Sequence, residues 1–172
     1  ITTLNDFWYA PDAMGEASLA SGLRLQLATE IVDVDKNRVA DGDYTRFKNI
    51  GEQTLREGVE VAKRWHGQGN GLITSRLGPH AVDTVSEGLF RECVTEARIQ
   101  GWGLHTHAAQ SQQETSFIRE AHGSGPISWL AELGLLGDDW VIAHLTFADE
   151  HDLDAAAQTD IGYAHAASIY PR

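Results

Sequence analysis

Residues 86–107, SEGLFRECVTEARIQGWGLHTH, hold the unit from which the fold is read. Ser86 is an oxygen-bearing residue of the kind that caps helix N-termini. Leu89, Phe90, Cys93, Val94 and Ala97 then recur at three- and four-residue intervals, which lays one apolar stripe along a helix. Gly101 supplies a residue that tolerates the left-handed conformation at a helix end. Residues 102–106 change period and read as a strand that runs directly into His107.

The same helix-to-strand unit recurs on both sides. Upstream, residues 1–8 read as a strand and residues 13–21 as a helix closed by Gly22. Residues 23–32 form a second strand and residues 33–43 a polar loop. A helix is expected over residues 44–65, with Phe47, Ile50, Leu55, Val59 and Ala62 on its apolar face. Gly67, Gly69 and Gly71 break it, residues 72–76 form a short strand, and Gly78-Pro79-His80-Ala81 reads as a turn. Downstream, Ser111 and Glu114 have capping-box spacing for a helix to about residue 122, and residues 127–133 form a second short helix. Residues 140–145 give a fifth strand, residues 149–158 a helix and residues 161–164 a sixth strand. Strict alternation of strand and helix demands a parallel sheet with crossover helices. A doubly wound sheet and part of a (β/α)8 barrel both satisfy it, and periodicity does not choose between them.

Composition narrows the function classes. The chain has 172 residues, of which 42% are hydrophobic and 22% charged, ordinary values for a globular domain. Its 25 acidic against 13 basic residues give a formal net charge of -12. Phosphate backbones and anionic lipid need clustered Lys and Arg, so neither nucleic acid nor membrane is expected as a partner. No stretch approaches the ~20 apolar residues that span a bilayer. Cys93 is the one cysteine and sits on an apolar helix face, so it reads as a core residue, and a cytoplasmic setting is expected.

The chemistry lies in the histidines. His80, His107, His144 and His165 each fall at or just past the C-terminal end of an expected strand, the edge on which the loops of parallel α/β folds build active sites. His66, His122 and His151 fall in or beside helices, where surface or packing roles suffice. His105 and His107 point to one face of their strand because side chains alternate with period two. Such a pair either binds a metal or packs into a polar core layer.

Three segments taken in order resemble the amidohydrolase superfamily, in the branch of the adenosine-analogue and S-adenosylhomocysteine deaminases and the s-triazine hydrolases. They are Gly78-Pro79-His80-Ala81 with Thr84, Ser86 and Leu89; Leu104-His105-Thr106-His107-Ala108-Ala109-Gln110 with Glu114; and Leu130-Ala131-Glu132-Leu133-Gly134-Leu135-Leu136-Gly137 followed by Ala143-His144-Leu145 and Glu150. The opening ITTLNDFWYAPDA resembles that family's second barrel strand and the loop after it. The resemblance implies an α/β chain forming strands two to seven of a (β/α)8 TIM barrel, a single unit over residues 1–172 that lacks the first and last strands. It implies His107 as the metal ligand from the fifth barrel strand. His144, on the sixth, is implied as a ligand or as the residue holding the attacking water and the substrate, and His80 as the contact to the bound heterocycle. The metal implied is divalent, zinc by default and iron as the other candidate. The reaction implied is hydrolysis of a C–N bond in a nitrogen heterocycle through a metal-activated hydroxide.

Two departures stand against that pattern. The family's H-x-H on the first strand and Asp on the eighth are absent from these residues, and both ends read as cuts through a larger domain. Gln110 occupies the catalytic position where deaminase members carry a Glu that shuttles the proton, and an amide carries none. Glu114 is the nearest carboxylate in sequence, and its capping-box place gives it a structural reason to be there. His165 is followed by Ala166 and Ala167 rather than the family's Asn-Pro, so a peripheral role is expected. The expectation is therefore a hydrolase of a small heterocyclic substrate. The alternative is a non-catalytic fragment or degenerate relative that keeps the fold without a complete metal site. Open sheet edges make a homo-oligomer possible.

Overall fold

The computed structural model describes residues 1–7 and 10–166. Trp8, at the end of the first expected strand, and the closing residues 167–172 lie outside the described residues. Six strands, β1 (Thr3–Phe7), β2 (Arg24–Ile31), β3 (Ile73–Pro79), β4 (Gly103–Ala108), β5 (Trp140–His144) and β6 (Gly162–Ala164), form one sheet in the order 1-2-3-4-5-6. Every neighbouring pair is parallel. Between them lie α1 (Pro11–Ser21), α2 (Lys36–Val39), α3 (Lys48–Trp65), α4 (Gln68–Gly71), α5 (Glu87–Gln100), α6 (Gln112–His122), α7 (Pro126–Glu132) and α8 (Glu150–Gln158). Strand order settles what periodicity left open. A doubly wound sheet reverses direction at a switch point, whereas an unreversed run with all helices on one side curls into part of a (β/α)8 barrel.

The helices pack on the convex face alone. Leu77, Leu104, Ala108, Trp140 and Ile142 of the strands join Phe90, Cys93, Ala97, Ile118, Ile127 and Leu130 of the helices in one buried cluster. A second cluster joins Leu25, Leu27 and Ile73 to Trp65. Each such fully buried large side chain contributes about 1.5–3 kcal/mol. Cys93 is buried in the first cluster, and burial raises its thiol pKa far above the ordinary value, so it stays a protonated core residue. The concave face is polar. There Arg76 donates from Nη1 to the carbonyls of Leu104 (3.2 Å) and Asp139 (3.0 Å) and from Nε to Gln26 Oε1 (3.2 Å).

Three local expectations are corrected. The helix expected from residue 44 begins at Lys48. Residues 44–47 serve the loop instead: Tyr44 stacks on Phe117 with ring centroids 3.9 Å apart, Arg46 pairs with Val34, and Phe47 N–H donates to the Asp33 carbonyl at 2.6 Å. The loop over residues 33–43 contains the one-turn helix α2, capped by Asp35. Gly78-Pro79 is not a turn but the end of β3, in register with Glu30 and Ile31. Glycine stands at 78 because a Cβ there would lie 2.2 Å from the Thr29 carbonyl oxygen and 2.4 Å from the Phe7 ring.

Candidate metal and substrate site

The C-terminal ends of β1 to β5 converge on four imidazoles and one phenyl ring. Register explains most of the arrangement. His105 and His107 share the concave side of β4, and the Phe7 ring meets both edge-on, with centroids at 4.9 and 4.7 Å. Gly78 leaves the space that this ring fills. His80 follows β3, and its ring centroid lies 5.3 Å from that of His107.

His144 arrives differently. On β5 it has the parity of Trp140 and Ile142, which face the helices. Strict alternation would send it the same way. Instead His144 has φ 82° and Leu145 φ 52°, both left-handed. That backbone carries the imidazole to the concave side, where its Nε2 lies 3.1 Å from His107 Nδ1. A non-glycine residue pays ~1–2 kcal/mol for that conformation. Two bonds to main-chain carbonyls hold the segment: Leu145 N–H donates to the Ala108 carbonyl (3.0 Å), and the Tyr163 hydroxyl donates to the His144 carbonyl (3.0 Å).

The turn after β4 is also held against strain. Ala109 has φ 50°. Glu114, fully buried on the first turn of α6, accepts from the N–H groups of Ala109 (2.9 Å) and Gln110 (2.8 Å), while Ser111 Oγ caps the Glu114 N–H. Burial raises the Glu114 pKa to about 8, against the opposing pull of those N–H donors.

Burial acts on the histidines in the other direction. It is the largest cause that lowers His107 to about 3 and His105 to about 4, and it also lowers His80 and His144. The rings are therefore neutral at physiological pH, the form in which imidazole offers a lone pair to a metal. With zinc–nitrogen bonds of ~2.1 Å, two ligands on one ion sit about 3.0–3.4 Å apart. The 3.1 Å between His107 Nδ1 and His144 Nε2, which is a ring-to-ring hydrogen bond here, has the length of such an edge, so an ion would take the place of the shared proton. The fit covers two ligands: no group of three or more His, Cys, Asp or Glu able to hold a metal ion gathers among the described residues.

The structure thus brings His80, His107 and His144 together. Gln110 joins the rim through its backbone N–H on Glu114. His165 is exposed and its ring neighbours Tyr163 at 5.8 Å, away from the other three. Among the helical histidines, His66 Nδ1 accepts from Ser75 N–H (3.1 Å) and His122 stacks on Trp129 (4.0 Å). The sequence pattern singles out His105 beside His107, whereas Phe7, Glu30 and Tyr163 carry no such mark as members of this cluster. For Glu30 the one signal is the strand parity it shares with Gln26; for Tyr163 there is none. His80 Nδ1 lies 3.0 Å from Thr84 Oγ1, and its Nε2 lies 3.6 Å from Glu30 Oε1. Neither nitrogen of His105 has a hydrogen-bond partner among the described residues.

Comparison with known proteins agrees with this architecture. Two relatives are a 5-methylthioadenosine/S-adenosylhomocysteine deaminase of Desulfitobacterium hafniense (strain Y51), 32% identical over 95% of this chain and 35% of its own, and a 5'-deoxyadenosine deaminase of Methanosarcina acetivorans, 28% identical over the same shares. The chain therefore spans about a third of the length of these relatives. Among solved structures, an adenosine deaminase from Xanthomonas campestris with bound zinc superposes with a TM-score of 0.77 at 21% identity, over 95% of this chain and 35% of that one. An atrazine chlorohydrolase from Arthrobacter aurescens TC1 complexed with zinc gives 0.76 at 21% identity, over 96% and 38%. At that identity the two structures speak for the fold. The model of the Amidohydrolase family matches residues 1–169, and the chain belongs to that family.

Proposed function

We propose that these residues form the central part, strands two to seven, of a metal-dependent hydrolase barrel that cleaves a C–N bond of a nitrogen heterocycle, as a deaminase or related amidohydrolase. One observation carries the reading: in a member of this family, two neutral imidazole nitrogens on adjacent strand ends face each other at 3.1 Å. His107 and His144 are the proposed metal ligands, with zinc favoured because it is the ion in the solved structures of similar fold. The remaining ligands would come from barrel strands outside these 172 residues. When bound, the metal supplies the Lewis acidity that brings a water pKa toward ~7.

The chain's own residues have separable tasks. Burial around His107 keeps its lone pair unprotonated and available. Thr84 fixes the His80 ring at Nδ1, which leaves Nε2 to meet the heterocycle. His144 holds substrate and water in place beside its ligand role. Gln110 sits at the catalytic rim and orients by hydrogen bonds alone, because an amide neither accepts nor releases a proton near neutrality. The proton of the leaving ammonia or amine therefore passes through a group other than Gln110. The proposed substrate is a small molecule, a nucleoside-like or triazine-like ring, in keeping with the similar deaminases and the atrazine chlorohydrolase. A cytoplasmic, reducing setting suits the buried Cys93 thiol.

A second reading, a relative that keeps the fold without a complete metal site, is favoured by Gln110, an amide at the position where deaminase members carry a Glu. Ammonia release decides between them. The zinc-supplied protein is expected to release ammonia from 5'-deoxyadenosine or an amino-s-triazine, and His107→Ala is expected to stop it. A zinc-replete protein that releases none from such a panel contradicts the hydrolase reading.

A further inference from the structure

Glu30 is the last but one residue of β2 and has the parity of Gln26 and Ala28, so its side chain belongs to the concave side and the C-terminal rim. Its Oε2 is ion-paired with Lys36 Nζ, and its Oε1 stands 3.6 Å from His80 Nε2. The Glu30 side chain is 11% exposed and that of Lys36 40%, so the carboxylate is the inner member of the pair. The loop that carries Lys36 is anchored: Asp33 Oδ1 accepts from Arg46 Nη1 (3.0 Å) and Ser86 N–H (3.1 Å), Tyr44 stacks on Phe117, and Gln113 Nε2 donates to the Val39 carbonyl (3.1 Å). An ionised carboxylate only accepts hydrogen bonds, and a partly buried one repels a second carboxylate strongly.

We propose that Glu30 is a specificity-determining residue that selects a heterocycle whose substituent presents ammonium or N–H donors and turns away one that carries a carboxylate. This rests on the hydrolase reading, in which His80 meets the heterocycle.

The test is calorimetric binding at pH 7 of three nucleosides that differ at one atom group: 5'-amino-5'-deoxyadenosine, 5'-deoxyadenosine and adenosine-5'-carboxylate. The expected order of affinity is cation, neutral, anion, with about tenfold or more between the extremes. Glu30→Gln is expected to bring the three within about threefold of one another, and Lys36→Met, which leaves Glu30 in place, to widen the gap. Melting temperatures identify a variant that fails to fold; should Glu30→Gln fail, an unchanged gap in Lys36→Met overturns the proposal by itself. Equal binding of all three by the unsubstituted protein, or the same order in Glu30→Gln, overturns the role of Glu30 and leaves the hydrolase reading standing. Binding of none, with zinc supplied, overturns the role of Glu30, while ammonia release from the panel with an amino-s-triazine decides the hydrolase reading separately.

Discussion

Strands β4 and β5 deliver histidines to one place by opposite means. On β4, His105 and His107 reach the concave side by plain alternation, and the strand keeps its register with β5 throughout. On β5, alternation would bury His144 among the helices, and a left-handed residue brings it back. The first device is cheap and written in the residue pattern. The second stores strain at the residue that faces His107, and strain of this kind persists only where surrounding bonds over-determine it.

The comparison breaks most severely at the support of β4. Gly78→Ala would drive a Cβ into the Thr29 carbonyl and the Phe7 ring that packs on both β4 histidines. A loss of about 3 kcal/mol in denaturant-melt stability is expected. Glu114→Gln is expected to cost about 2 kcal/mol, because an amide offers one acceptor where the carboxylate accepts from both Ala109 and Gln110 N–H groups. Glu114 also has a pH signature. Its folded pKa, about 8, lies above its ordinary value, so its contribution is fully present below that ordinary value and fades as pH rises through 8. The stability of the parent relative to Glu114→Gln should therefore fall between pH 5 and about 8.5. A constant difference would show that the carboxyl does not change charge on that range.

A sharper contrast comes from alanine and glycine at the two facing histidines. At position 144, Gly should be more stable than Ala by about 1 kcal/mol, since only glycine adopts φ 82° without penalty. At position 107, in regular strand, Gly should be less stable than Ala by about 0.5–1 kcal/mol. The same sign at both positions would dissolve the distinction between the strands. The smallest effect belongs to Tyr163→Phe, which removes one partly exposed bond to the His144 carbonyl and should cost about 0.5 kcal/mol by thermal melt.

What the sequence discloses follows the same division. The helix stripe at Leu89, Phe90, Cys93, Val94 and Ala97 and the shared face of His105 and His107 are local periodicities, and both appear in the structure. Gly78-Pro79 is a residue pair that serves turns and close approaches alike, and only the Phe7 ring from a distant strand decides which. Tyr44 to Phe47 satisfy a helix period but are claimed by Phe117, Val34 and Asp33, contacts with no local signature. His144 was found at a strand end without any hint of the backbone that aims it, because left-handed φ at a non-glycine residue leaves no mark in the sequence.

The most direct measurement is zinc titration of the purified protein beside its His107→Ala and His144→Ala variants, with competing chelator to fix the affinity. The account predicts one zinc site, weakened at least about tenfold by each substitution, with the double variant little worse than either alone. Zinc affinity unchanged by either substitution would contradict the claim that these two imidazoles share an ion.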